Sequence, residues 1–148
     1  MSTYTQILYH IVFSTKNRTP SLQPDSRERL FRYIWGIIKK KNCHLHRING
    51  VEDHLHILTS LHPCERLADL VRDVKASTSL WIRNSDVLPD FVGWQDGYGA
   101  FTHSKAEMDA LVEYIKDQQK HHERLSFREE LEALLKKAGI EFDERFLV

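Results

Sequence analysis

The residues with the clearest capacity for chemistry are two histidines in the stretch DHLHILTS, which predicts a β-strand. His54 and His56 are separated by one residue, so their imidazoles lie on one strand face, about 7 Å apart, close enough to bind one ion. The same pattern recurs at His44 and His46, and it is also consistent with polar side chains on a sheet surface. The histidine pair therefore predicts a metal site only if further ligands lie nearby.

A second candidate group lies on a predicted helix that contains the stretch YIKDQQKHH. Tyr114 and Gln118 are four residues apart and share one helix face, and His121 and His122 follow seven and eight residues after the tyrosine. An alternative is structural, because Tyr114 can border the apolar side of the helix while both histidines interact with its dipole. The helix alone does not distinguish a reactive site from an ordinary helix surface.

The elements that position these side chains follow from hydrophobic periodicity and turn residues. Asn49-Gly50 predicts a hairpin turn, and the alternation after it places Leu55 and Ile57 on the core face and the two histidines on the opposite face. Serine with glutamate three residues later predicts a capping box at the start of each of the last two helices. We predict strands over 6–15, 43–50 and 51–61, one or two strands over 91–102 broken near Gly97 and Gly99, and helices over 26–41, 64–84, 104–122 and 126–139.

This order predicts an α+β fold of the ferredoxin-like (split βαβ) kind, an antiparallel sheet with extra C-terminal helices. Two helices cover one face of such a sheet, and the other face is free for a partner, a ligand or a third helix. With 148 residues, 41% of them hydrophobic and 28% charged, the chain is expected to form a single globular domain over 1–148.

The charge distribution is uneven although 21 basic and 21 acidic residues cancel. Residues 1–47 carry nine basic and two acidic side chains, so a basic face could contact phosphates, although a solvated helix face is the simpler explanation. Cys43 and Cys64 form no CxxC pair, and we find no signal-peptide pattern and no apolar run long enough to span a membrane. We therefore expect free thiols and a cytoplasmic protein.

Taken together, these stretches resemble the single-tyrosine HUH transposases, in which HUH denotes a His-hydrophobe-His strand. DHLHILTSL is similar to that strand, and YIKDQ is similar to the catalytic helix, in which glutamine follows tyrosine by four residues. The resemblance extends in order over nearly the whole chain, through the stretches YHIVFSTKNR, GWQDGYGAF and QQKHHERLSFREELEALLKKAGIEFDERFL. The last of these stretches is most similar to the IS200-like and REP-associated members. Where members often have Pro-Asp before the first histidine, this chain has Glu52-Asp53.

The resemblance implies a transposase that cleaves and rejoins single-stranded DNA at hairpin-flanked ends. Tyr114, on the catalytic helix at about 104–122, would be the nucleophile and would form a 5′-phosphotyrosine intermediate. His54, His56 and Gln118 would bind a divalent cation, Mg²⁺ or Mn²⁺, and His121 is a further candidate for a metal ligand or a base. A C-terminal helix and tail would follow at about 126–148.

The implied partners are single-stranded DNA with imperfect hairpins and a second subunit, with active sites shared in a homodimer. Alternatives from other classes are a non-catalytic single-strand DNA- or RNA-binding module on the same fold, a domesticated relative acting on palindromic repeats, and a structural dimer with surface histidines. A structural zinc site is disfavoured, because the cysteines lack ligand spacing. Phosphate contacts are expected from basic side chains, namely Lys16, Arg18, Arg32, Lys39, Lys40, Arg47, Lys75 and Arg83.

Overall fold

The computed structural model describes residues 2–147 as one four-stranded sheet with helices on both faces. The strands are β1 (Leu8–Ser14), β2 (His44–Gly50), β3 (His54–Ser60) and β4 (Gly99–His103). The α-helices are α1 (Pro24–Lys40), α2 (Leu67–Ser85), α3 (Met108–Lys116), α4 (Gln118–His121) and α5 (Phe127–Lys137). No helix within residues 2–147 has the length and apolar character needed to cross a membrane.

The sheet has the strand order β2-β3-β1-β4, and every neighbouring pair is antiparallel. The two central strands, β1 and β3, place His10 opposite Leu58 and Val12 opposite His56. This topology confirms the predicted ferredoxin-like α+β fold. The site residues of β3 therefore lie in the middle of the sheet, where neighbouring strands fix their position on both sides.

The main core lies between the sheet and helices α1 and α2. Alternation along β1 and β3 points Ile11, Phe13, Leu55 and Ile57 to this side, as the pattern predicts. They pack against fully or almost fully buried side chains of the two helices, which are Leu30, Ile34, Ile38, Leu70, Val71 and Val74. Each such side chain contributes about 1.5–3 kcal/mol by its removal from water.

The opposite face of the sheet is covered by α3, α4 and α5, so helices rather than solvent occupy it. Leu8 and Leu58 pack on Ile115 of α3, and Val12 packs with Phe127 of α5. This second layer leaves His54 and His56 fully buried. The alternative that these histidines are polar side chains on the sheet surface is therefore wrong, because helices α3–α5 bury them.

The hairpin turn between β2 and β3 differs from the prediction. We predicted it at Asn49-Gly50, but β2 continues through Gly50 and the turn occupies residues 51–53. A Cβ atom at Gly50 would lie 2.5 Å from the backbone oxygen of His54. The glycine therefore serves the close approach of the two strands rather than the turn conformation.

The predicted helix over 104–122 is also divided. It begins with the predicted capping box of Ser104 and Glu107 and a short 3₁₀ turn, continues as α3, and is interrupted at Asp117 before α4. Asp117 has φ −92° and ψ 19°, outside helical geometry. This break changes the direction in which the following side chains point.

The strand predicted over 91–102 is shorter than expected, because only Gly99–His103 forms β4 and Trp94 makes an isolated bridge to Thr15.

The remaining boundaries lie close to the predicted ones. The second predicted capping box, Ser126 with Glu129, begins α5, and Gly139 follows the helix with a positive φ of 69° that favours glycine. Both cysteines are free thiols, Cys43 buried and Cys64 exposed.

Candidate active site

Three imidazoles and one carboxylate meet between β3 and the C-terminal helices. The Oε1 atom of Glu130 lies 3.0 Å from His56 Nε2, 3.0 Å from His122 Nε2 and 3.2 Å from His54 Nε2. The ligand atoms of these four residues all lie within 4.8 Å of one another. We call these four residues the His₃Glu cluster, and its donor set could hold a metal ion.

The second nitrogen of each imidazole is engaged by a neighbouring group. His54 Nδ1 donates to the Asp53 carboxylate at 2.7 Å, and His122 Nδ1 donates to the Leu125 carbonyl at 2.6 Å. His56 Nδ1 shares a 2.8 Å hydrogen bond with His10 Nε2. Metal-bound histidines commonly have such partners, which fix the ring and leave the other nitrogen to the ion.

His54 Nε2 provides a direct test of whether these residues fit a metal ion. It is buried and lies close to Glu130, but it has no aligned hydrogen-bond partner among the described residues. A buried nitrogen without a partner costs free energy that a bound ion would recover. The residues therefore fit a metal ion.

The electrostatics of the His₃Glu cluster are set by burial and by mutual contacts. Burial alone would raise the pKa of Glu130, but hydrogen bonds from His122 and His56 and the close approach of His54 outweigh it and hold that pKa well below its usual range. Burial opposes protonation of His54, but the Asp53 and Glu130 carboxylates raise its pKa. Burial lowers the pKa of His56. A carboxylate anion is thus present in the cluster, which favours a cation there.

Tyr114 contacts the His₃Glu cluster through the same carboxylate. Its hydroxyl donates to Glu130 Oε2, and Gln118 Nε2 donates to that oxygen at 3.2 Å. Burial and then the negative charge of Glu130 raise the pKa of Tyr114 above its ordinary value. In this arrangement the phenol is held protonated, with its oxygen beside the cluster.

The predicted site residues come together only in part as expected. His54, His56, Tyr114 and Gln118 share one site. Gln118 is buried, and its Oε1 lies 3.1 Å from His122 Nε2. His121 instead lies beside Tyr114, with the ring centroids 4.8 Å apart. Its role as a metal ligand or base stays a prediction.

Sequence reasoning missed His122 and Glu130 as members of the cluster. Glu130 could have been recognised, because Phe127, Glu130, Leu131 and Leu134 follow the spacing of one apolar helix face. A carboxylate on such a face is buried and needs partners. For His122 the signal is its spacing of four residues from Gln118, but His121, seven residues after Tyr114, fits a continuous helix equally well.

Asn49 binds the backbone at the helix break near the His₃Glu cluster, a role that sequence reasoning also missed. Its Nδ2 donates to the backbone oxygens of Ile115 and Lys116, both at 3.0 Å. Gln119 Nε2 donates to the oxygen of Gly50 at 3.0 Å. These contacts satisfy carbonyls at the end of α3 and fix the tyrosine helix to strand β2.

The predicted phosphate contacts fall into two groups. Lys16, Arg32, Lys39, Lys40 and Arg83 are exposed, and Arg18, Arg47 and Lys75 are partly buried. Lys75 donates to the oxygen of Gln95 at 2.8 Å and so is engaged internally.

Other basic residues of the first 47 form ion pairs, Arg27 with Glu52 and Lys41 with Asp73. Less of the positive charge is therefore free than the sequence count suggests.

The family model described as "Transposase IS200 like" matches residues 3–118. No match was found among curated proteins.

Two similar solved structures have the same fold. A protein of Deinococcus radiodurans R1 assigned as a transposase has a TM-score of 0.62 at 21% identity, covering 80% of this chain and 95% of its own. A REP-associated tyrosine transposase bound to a REP hairpin has a TM-score of 0.61 at 16% identity, covering 82% and 74%. At these identities the likeness establishes a shared fold, whereas the sequence match covers most of the chain, and the chain therefore belongs to the IS200-like transposase family.

Proposed function

We propose that this protein is a metal-dependent transposase that cleaves and rejoins single-stranded DNA at hairpin-flanked ends through a 5′-phosphotyrosine intermediate. One observation carries the proposal: the hydroxyl of Tyr114 lies against a buried His₃Glu cluster through Glu130. A candidate nucleophile and a candidate cation site thus share one carboxylate.

The ligands of the cation would be His54, His56 and His122, with Glu130 as the oxygen donor. When bound, the ion would polarise the scissile phosphate and neutralise charge in an in-line displacement. Three nitrogen ligands favour Mn²⁺ over Mg²⁺, because Mg²⁺ prefers oxygen ligands. Gln118 would then orient His122 and Glu130 rather than complete the cation site.

Tyr114 would attack the phosphorus of a phosphodiester bond. A bond forms between the phosphorus and the phenolic oxygen, and the bond to the 3′-oxygen breaks, so that the 3′-oxygen leaves as a hydroxyl after gaining a proton. An unperturbed tyrosine phenol has a pKa of about 10, far below that of a sugar hydroxyl, and tyrosine is therefore the better leaving group in the reverse reaction. Another 3′-hydroxyl can attack the phosphotyrosine, which rejoins strands without ATP.

Glu130 would accept the proton of Tyr114. It is 3% exposed, and its Oε2 atom receives the hydrogen bond of the phenol. From the sequence, His121 is the candidate base. Glu130 has better geometry, because it contacts the reacting oxygen directly.

The family and the hairpin bound in the similar REP-associated structure support a hairpin DNA substrate. We propose imperfect hairpins in single-stranded DNA, contacted by the exposed basic side chains and encountered in the cytoplasm. In the single chain described here, Tyr114 meets the histidines of its own sheet. Exchange of the tyrosine helix between subunits of a homodimer stays a prediction.

A covalent-adduct assay tests the proposal. The protein is incubated with labelled single-stranded hairpin DNA from the flanks of its own gene, with Mn²⁺ or Mg²⁺, and is run on a denaturing gel. A shifted band is expected with metal, and it should be absent with a chelator and in Tyr114→Phe. Tyr33→Phe is the matched control, because Tyr33 stacks on Trp81 on the opposite side of the sheet.

The outcomes separate the candidate functions. An adduct that persists in Tyr114→Phe would refute the assignment of Tyr114 as the nucleophile. Hairpin binding without any adduct, over all hairpins of both flanks, would favour a non-catalytic binding module.

A further inference from the structure

A cleft opens beside Tyr114 on the side away from the His₃Glu cluster. Its volume is about 700 Å³, within the range of small-molecule sites. Strand β4 and helices α3 and α5 line it, through residues that include Phe101, His103, Ala110, Tyr114 and Lys137. Any molecule in this cleft lies next to the side chain of Tyr114, the proposed nucleophile.

The inner wall of the cleft is built from aromatic rings. The His10 ring centroid lies 6.0 Å from that of Phe101, 6.2 Å from that of His103 and 6.2 Å from that of Tyr114. His10 and Phe101 are buried within this wall, so the partly exposed rings of His103 and Tyr114 provide the stacking surfaces for a nucleobase, which always has a π-face.

Two polar atoms in this wall lack partners within residues 2–147. They are Nδ1 of His10, a residue only 1% exposed, and Nε2 of His103. The other nitrogen of each ring is engaged, by His56 and by Glu107 respectively. Buried unpartnered nitrogens beside a cleft are uncommon, and polar atoms of a ligand that enters the cleft would satisfy them.

We propose that the cleft binds one nucleotide of the DNA strand beside the scissile phosphate, with its base among the aromatic rings and its edge against His10 and His103. This inference rests on the proposed function, since it places the occupant relative to Tyr114. The exposed Lys137 lines the same cleft and supplies a positive charge for a backbone phosphate. A purely apolar ligand would leave both histidine nitrogens without partners.

Photochemical cross-linking locates the strand without requiring cleavage. Short oligonucleotides from the hairpin flank, each with one 5-iodouracil, are irradiated with the full chain and a chelator, and the adducts are mapped by mass spectrometry. Cross-links to Phe101, His103 or Tyr114 are expected from one position next to the cleavage point. Cross-links confined to residues outside the cleft would overturn the proposal.

Filling the cleft provides a second test. Ala110→Phe places a bulky side chain inside the cleft, and Ala133→Phe is the matched control at an exposed position of α5 outside it. Single-strand affinity, measured by fluorescence anisotropy, should fall about tenfold for Ala110→Phe, the loss expected when one stacked base is displaced. Equal affinities for both variants, with equal circular dichroism, would overturn the proposal.

These results are distinguishable from those of the adduct assay. If Ala110→Phe forms the adduct with normal kinetics, the proposed nucleotide site is refuted and the proposed transposase function is retained. Cleft cross-links in a protein that forms no adduct would support the nucleotide site and refute the proposed strand transfer.

Discussion

Replacing His54 by alanine is expected to destabilise the fold as well as remove a cation ligand. The residue is fully buried, and its ring stacks on Phe127 with centroids 4.4 Å apart. It also donates to Asp53 and contacts Glu130. The strand pattern alone, which places the side chain off the main core, predicts that the substitution preserves the fold. The second helical layer changes that expectation.

The magnitude follows from what the imidazole contacts. Loss of the stacked ring contributes about 0.5–1.5 kcal/mol beyond area burial, and loss of a hydrogen bond to a charged group about 1.5–3 kcal/mol. Because these contributions overlap, we expect the free energy of unfolding to fall by about 2–4 kcal/mol. For a chain of this length that corresponds to a decrease in Tm of roughly 4–16 °C.

Urea unfolding followed by circular dichroism, in the presence of a chelator, measures this loss without a contribution from metal. His44→Ala is the matched control, because His44 belongs to the same His-X-His pattern on β2 but is exposed. It should change the free energy of unfolding by less than about 0.5 kcal/mol. If His54→Ala were as stable as His44→Ala, the buried contacts assigned to His54 would be refuted.

Three further predictions concern the cation and the nucleophile. Mn²⁺ at 100 times its Kd should stabilise the protein by about 2.7 kcal/mol in thermal unfolding. His122→Gln should abolish this stabilisation, whereas His121→Gln should retain it. The reverse result would identify His121 rather than His122 as the ligand. Glu130→Gln should preserve hairpin binding but slow adduct formation at least about 100-fold, and an unchanged single-turnover rate would exclude Glu130 as the proton acceptor. Mixed subunits carrying Tyr114→Phe and His54→Ala should regain adduct formation if sites are shared, and verified heterodimers without adduct would show that each chain completes its own site.

Sequence periodicity determined the scaffold of the site. Alternation on β3 placed Leu55 and Ile57 toward the main core and His54 and His56 on the other face, and the structure confirms both directions. The helical spacing of Tyr114 and Gln118 likewise placed both side chains on one face. Such local patterns are readable because strand and helix geometry fix the direction of each side chain.

Tertiary structure alone decided what meets the histidines. The break at Asp117 shifts the helical phase, so that His122 rather than His121 points to β3. Glu130 lies 74 residues after His56 and reaches it because α5 folds back over the sheet. No local pattern encodes a contact between such distant segments, since it depends on how the helical layer packs on the sheet. The sequence therefore determined the two histidines and the tyrosine, and only packing decided which carboxylate joins them.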